Sequence, residues 1–290
     1  MPVTALVSAK SCGVTATALA LTLASKRSSL LAECDPAGGT IRAGLLGGQV
    51  NAGFGLYHLA RAERTGPEAL ANAFASHLCH LDEAGHRKLL PGLTDPAQAA
   101  ALVRTWPALA DVLHVMAQQA GHDVYIDAGR LALEAGHLHP TLTPAPLLYR
   151  ADMVLLVVRG TEQSLALARH VVPSLRTALH EQGSGADALG LLLIEDGVFR
   201  AHQVGEALAT PVIAVLPYAP DVAHYLTAGG RPPRGYGRSE LLRHARTATE
   251  QIEVAATRRQ LQQQYPPAAP QLAGILQRLT QHTDGGVRHG

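Results

Sequence analysis

Apolar residues fall along this chain in short unbroken runs separated by longer stretches of mixed polarity, the pattern of strands buried on both faces with helices between them. Val3 to Val7 is the first run and residues 29–32 the second. Between them Ala16 to Ala24 is rich in helix formers, with Leu19 and Leu23 one turn apart. Further on, residues 123–127, the strongly apolar Met153 to Val158, Gly190 to Ile194 and residues 212–216 read as strands. Trp106 to Gln119, Thr161 to Gln182 and a segment ending at Leu208 read as the helices that separate them. Residues 54–75 read as helix, Leu78 to Leu90 as two short strands about the turn at Glu83-Ala84-Gly85, and Thr94-Asp95-Pro96 as a helix start. The alternation, without internal repeats, predicts an α/β fold over residues 1–255: a doubly wound, mostly parallel sheet with helices on both faces. Beyond Gly229-Gly230-Arg231-Pro232-Pro233 the composition turns to arginine-rich helix. Pro266-Pro267 and Pro270 then set off a tail, residues 256–290, whose Leu272, Ile275, Leu276 and Leu279 have the spacing of a short amphipathic helix.

A sheet of this kind holds its ligands at the C-terminal edge of the strands, so the first turn there matters most. Residues 8–18 read Ser-Ala-Lys-Ser-Cys-Gly-Val-Thr-Ala-Thr-Ala, a glycine turn between a buried strand and a helix. A phosphate loop wraps backbone N–H groups around β- and γ-phosphates, sets a lysine on them and puts a Ser or Thr hydroxyl on Mg²⁺. Gly13 fits the last glycine of such a loop and Thr15 the metal-binding hydroxyl. Val14 stands where the lysine belongs, and the loop is one residue shorter than the usual spacing. Lys10, Ser11, Cys12, Gly13, Val14, Thr15 and Ala16 are the candidate nucleotide-binding residues, with Lys10 as the compensating cation. A charge-assisted hydrogen bond contributes roughly 1.5–3 kcal/mol, so a loop without its lysine is expected to hold ATP about ten- to a hundredfold more weakly. Hydrolysis suffers more, because that lysine also stabilises charge in the transition state. Asp35 and Asp127 close two of the apolar strands. Such aspartates serve as turn formers or helix caps as well as metal ligands.

Taken together, Lys10 through Leu21 and Glu33-Cys34-Asp35-Pro36-Ala37-Gly38-Gly39 resemble the MinD/ParA family of deviant-Walker P-loop ATPases. The loop is most similar to that of a divergent, actinobacterial-type branch, where it runs close to Lys-Gly-Ser-Pro-Gly-Val-Thr-Thr. The resemblance implies that Lys10 is the family's signature lysine, which reaches the partner subunit's ATP across a dimer interface. That alignment takes a one-residue gap, and without the gap Ala9 falls there. It implies that Asp35 helps position the attacking water as the catalytic residue of switch I. Asp127 becomes the Walker B aspartate that holds Mg²⁺ through water beside Thr15, with Ala128-Gly129-Arg130 as switch II. Pro217 and Asp221, in Leu216-Pro217-Tyr218-Ala219-Pro220-Asp221, belong to the loop against the purine.

Composition narrows the classes further. At 290 residues, 47% hydrophobic and 16% charged, the chain can build one large α/β core. No run of eighteen apolar residues and no charged leader with an apolar stretch is present, so a cytoplasmic protein is expected. Cys12, Cys34 and Cys79 lack the spacing of a disulfide framework or a structural zinc. A net charge of +1 disfavours a strongly basic nucleic-acid protein. Only three of the 24 basic side chains are lysines, which makes Lys10 conspicuous. His77, Cys79, His80 and His86 cluster in sequence, but a strand over 77–81 would send His77 and His80 to opposite faces. Seven arginines lie between residues 229 and 260 against three acids; a solvated helix face is favoured there over a DNA-binding one. The tail helix carries too little positive charge for membrane binding.

The function expected from all this is a cytoplasmic MinD/ParA-like positioning or assembly factor, for which the resemblance suggests a pilus or secretion machine. It would form a homodimer over weakly held ATP and Mg²⁺, meet a protein partner, and be at most a slow ATPase. Two alternatives stand beside it: a nucleotide-free pseudo-ATPase that serves as an interaction module, and a partition ATPase that binds DNA non-specifically.

Overall fold

The computed structural model describes residues 1–265, and the chain divides into two compact units, Met1–Ala256 and Thr257–Gly290. Of the second unit only residues 257–265 are described, so the proline-rich segment and the amphipathic helix expected beyond it lie outside the described residues.

The apolar runs become an eight-stranded sheet. Its strands are β1 (Val3–Ser8), β2 (Ser29–Glu33), β3 (Cys79–His80), β4 (Arg87–Leu90), β5 (Asp123–Arg130), β8 (Met153–Arg159), β9 (Leu189–Glu195) and β10 (Val212–Pro217); β6 (Leu133–Glu134) and β7 (His137–Leu138) form a separate hairpin. The order is β10-β9-β8-β1-β5-β2-β4-β3, parallel throughout except for the short edge strand β3. Parallel strands buried on both faces carry apolar residues at nearly every position, which is why these runs show so plainly in the sequence. Alternate residues then feed two cores. Val3, Ala5, Val7, Val124, Ile126 and Leu156 face one, Leu6, Leu31, Tyr125, Leu155 and Val157 the other.

Eleven helices connect the strands within the described residues. α1 (Val14–Ala24), α2 (Thr40–Ala43), α3 (Leu59–Glu63), α4 (Pro67–Ser76), α5 (Ala99–Leu102) and α6 (Thr105–Gln118) precede β5. α7 (Ala145–Arg150), α8 (Glu162–Gln182), α9 (Ala201–Leu208), α10 (Pro220–Ala228) and α11 (Glu240–Gln264) follow it. The single helix expected over 54–75 is instead a 3₁₀ turn at Leu56–His58 with α3 and α4. Gly66, at φ +138°, precedes Pro67 at the first position of α4, and that pair stops one helix and starts the next. Asp95 caps the turn after Thr94 as expected, accepting from the Ala97 N–H at 2.8 Å. On one face Trp106, Leu109 and Leu113 of α6 join Leu165, Val172 and Leu175 of α8; on the other Leu19 of α1 joins Leu226 of α10 and Leu241, Ala245 and Ile252 of α11. Two acids of α11 pair with cations outside the helix. Glu250 meets Lys26 at 2.5 Å and Glu253 meets Arg27 at 2.7 Å, so both bind the turn between α1 and β2.

Two features of this order place the site. β1 is central: from it the chain passes to β2 on one side, and after returning to β5 beside β1 it crosses to β8 on the other. A crevice opens at the C-terminal ends of strands where that reversal occurs. The loop after β1 and the ends of β2, β5, β8 and β10 meet there.

Candidate functional site

α1 begins at Val14 with Gly13 as its N-cap, at φ +92° and ψ 33°. A side chain at Gly13 would have ordinary room beside Ile194, 3.6 Å away, so the left-handed backbone rather than crowding calls for glycine there. No side chain caps this helix and no acid stands in its first turn. The free N–H groups and the positive end of the helix dipole are therefore left for an anion. Val14 is buried, packed with Cys12, Leu6 and Leu19 in the core under the sheet, so the lysine position is part of the interior. Ala16 is buried as well. Ser11 and Lys10 face solvent, and Lys10 makes no hydrogen bond or ion pair among the described residues.

The acids gather on the β5 side of the loop. Thr15 donates its hydroxyl to Asp127 Oδ2 at 2.6 Å, and Asp127 Oδ1 accepts from the Gly129 N–H at 3.0 Å. Asp127 has no exposure, and burial pushes its carboxyl up to about 7, the hydrogen bonds from Thr15 and Gly129 pulling down while Glu33 and Asp35 push up. Asp35 accepts from the Ala37 N–H at 2.8 Å; burial raises its carboxyl, against the pull of Arg130. Gly129, at φ +67°, lets the chain after β5 pass so close to Asp35 that a Cβ there would land on the Asp35 carboxyl. Gly129→Ala is expected to lose about 1–2 kcal/mol from the left-handed backbone alone, with further loss from displacing Asp35. Urea unfolding of both proteins checks it; equal midpoints would refute it.

Glu33 is a member of this group that the strand pattern names but does not assign. It is fully buried opposite Asp127 in the β2–β5 register. Its Oε1 accepts from the Gly39 N–H at 2.8 Å and its Oε2 from the Gly92 N–H at 2.8 Å. Burial raises its carboxyl too, with those amides and Arg42 opposing. Glu33 thus ties the loop after β2 to the loop after β4, and Asp35 rides on the first of these. Its signal in the sequence is an acid closing a wholly apolar strand.

On the other side of the loop, Cys12, Gly13, Thr17, Arg159, Pro217 and Tyr218 are among the residues lining a narrow cleft whose volume is about 50 Å³. Asp221 does not line the cleft; it lies in the first turn of α10 and is exposed. The histidine-rich segment is occupied locally: His77 Nδ1 accepts from the Gly55 N–H at 3.2 Å and its ring stacks on His58 at 5.0 Å. Strand β3 holds only Cys79 and His80, so His77 and His80 do not share a strand.

The residues present fit a magnesium nucleotide on two counts. A hydroxyl and a buried carboxylate that lacks a cation stand together at the mouth of an uncapped helix. Mg²⁺ keeps most of its shell as water and phosphate oxygen, so it asks for one hydroxyl and an outer carboxylate rather than a cage of side chains. Among the described residues no group of three or more His, Cys, Asp or Glu is arranged to hold a metal by itself.

No protein-family model matches the chain, and no curated protein matches it. Solved structures do. A ParA family ATPase from Chlorobium tepidum superposes with a TM-score of 0.62 at 15% identity, over 86% of this chain and 98% of that one. The septum site-determining protein MinD with Mg-ADP from Pyrococcus horikoshii gives 0.62 at 17% identity, over 89% and 99%. The MinC:MinD cell division complex of Aquifex aeolicus gives 0.61 at 15% identity, over 88% and 96%. Identity this low speaks for architecture, and it does so over nearly the full length of each relative: the chain has the fold of the MinD/ParA P-loop ATPases.

Proposed function

We propose that this chain is a nucleotide-dependent positioning or assembly factor that binds Mg-ATP weakly, turns it over slowly, and pairs with a second copy of itself across the bound nucleotide. The observation that carries the reading is the Thr15–Asp127 hydrogen bond at the uncapped start of α1. In this reading Thr15 and Asp127 hold the magnesium, the amides around Gly13 the phosphates, and Asp35 the attacking water. The metal, when bound, neutralises phosphate charge. Support for the nucleotide comes from the solved MinD with Mg-ADP, and for a protein partner from the MinC:MinD complex. A pilus or secretion machine as cargo rests on the loop resemblance alone. No helix among the described residues is long and apolar enough to cross a membrane.

Melting-temperature titration with Mg-ATP tests the core of the proposal. A ligand at 100 times its Kd adds about 2.7 kcal/mol of apparent stability. A melting temperature that ignores saturating Mg-ATP would favour the nucleotide-free interaction module instead. Retention on DNA that fades with salt would favour the partition reading.

Lys10 bears on assembly. It is exposed, without a partner among the described residues, in the loop after β1 two residues before Cys12 of the cleft. A second subunit's phosphates would give its charge a counterpart. Lys10→Ala is therefore expected to shift the protein toward monomer in Mg-ATP while its melting temperature moves no more than for a surface substitution. Sedimentation velocity with and without Mg-ATP reads this directly, and unchanged self-association would make Lys10 an ordinary loop residue.

A further inference from the structure

We propose that Arg159 supplies to the nucleotide's phosphates the positive charge that Val14 leaves out; the proposal rests on the nucleotide-binding reading of the cleft and deepens it. Arg159 closes β8, the most apolar strand of the sheet. In the parallel β1–β8 register Leu156 stands beside Val7, one residue before β1 ends, so Arg159, three residues further on, lies at the edge where the loop after β1 begins. By alternation its side chain shares a face with Leu155 and Val157, the face on which α1 packs. It is the basic side chain that lines the cleft, together with Cys12 and Gly13. Neighbouring parallel strands lie about 4.8 Å apart, well within the reach of an arginine.

The side chain is held without being fully used. Its guanidinium pairs with Asp196 at 3.0 Å and stands 5.5 Å from the centre of the Tyr218 ring, and its Nε is buried with no acceptor among the described residues. Tyr218, which follows β10, lines the cleft; Asp196, which follows β9, lies behind Arg159 and does not line it. An unmet buried donor favours a rearrangement that would meet it. Phosphate oxygens at Gly13 offer a planar fork the acceptors it is built for. In this account Asp196 competes with the nucleotide for the same guanidinium.

Titrating Mg-ATP, Mg-ADP and adenosine into wild type, Arg159→Ala, Arg159→Lys and Asp196→Asn decides it. Arg159→Ala is expected to weaken ATP and ADP about ten- to a hundredfold and to leave adenosine unchanged. Arg159→Lys, which keeps the charge but not the fork, should recover part of that loss and guards against a folding artefact. Asp196→Asn should tighten ATP several-fold, about the factor that releasing a half-exposed pair allows. Rising salt should weaken ATP more for wild type than for Arg159→Ala. Wild-type ATP affinity in Arg159→Ala, or equal losses for ATP and adenosine, would overturn the assignment while leaving the cleft a nucleotide site. A wild type that takes up no nucleotide would overturn both.

Discussion

Asp127→Asn is expected to stabilise the nucleotide-free protein at pH 8 and, in the same stroke, to abolish magnesium-dependent nucleotide binding. The asparagine can keep both contacts: its carbonyl accepts from the Gly129 N–H, and its amide donates to the Thr15 hydroxyl. What disappears is a buried charge. Asp127 has a folded pKa of about 7, above the value of about 4 that an aspartate has in an unfolded chain. With the folded value the higher one, stability is full below about pH 4 and is lost as pH climbs through 7. The loss by pH 8 is on the order of a few kcal/mol. Glu33 and Asp35 are raised as well and push in the same direction. Chemical denaturation at pH 5 and pH 8 should show wild type weakening and the variant weakening much less. Adding Mg-ATP should restore the wild type at pH 8 and leave the variant where it was. Parallel pH profiles for the two proteins would remove Asp127 as the source of the effect.

The pH dependence follows from how the acids are grouped. Three carboxyls converge at the ends of β2 and β5, Glu33 and Asp127 side by side in register and Asp35 two residues on. The amides of Gly39, Gly92, Ala37 and Gly129 soften the repulsion. Cations do little of that work: Arg42 bears on Glu33, Arg130 on Asp35. Buried acids that carry no structural ion pair are where function and stability most often oppose each other.

Much of this could be read from the chain alone, for a physical reason. Parallel strands covered on both sides leave continuous apolar runs, so β1, β8 and β9 are conspicuous, and an acid or a glycine turn at the end of each marks the ligand edge. The elements that hid are those whose formation depends on partners. β6 and β7 are two residues each and exist only as a hairpin. The segment 54–75 kept a helical composition, and only the Gly66-Pro67 pair signals its break. Glu33 and Arg159 were visible as residues but not as site members, because nothing local says which amides or which cleft a side chain will meet. Register says it: Glu33 stands beside Asp127 in the β2–β5 pairing, and Arg159 closes β8 three residues past the partner of Val7, at the C-terminal edge of the sheet.

Val14→Lys is the complementary test of the loop, and its expected effect is a gain. A lysine at the first position of α1 would add the charge-assisted bond the loop lacks, tightening Mg-ATP about ten- to a hundredfold. The position is buried among Leu6, Cys12 and Leu19, so the aliphatic stem must lie along those side chains and bring the ammonium out beside Gly13. Without nucleotide the variant should be less stable than wild type, since valine's packing is lost and a cation meets the positive end of the helix by about 0.3–1 kcal/mol. Phosphates reverse that sign. The melting-temperature gain on adding Mg-ATP should therefore exceed that of wild type by more than the affinity of a surface cation would explain. If Arg159 already neutralises the phosphates, the gain should be largest in Val14→Lys combined with Arg159→Ala, because two cations competing for one set of oxygens are not additive. A Val14→Lys protein that folds yet binds ATP no better would mean that the five residues from Ala9 to Gly13, one short of the usual loop, no longer hold their amides where phosphates can reach them.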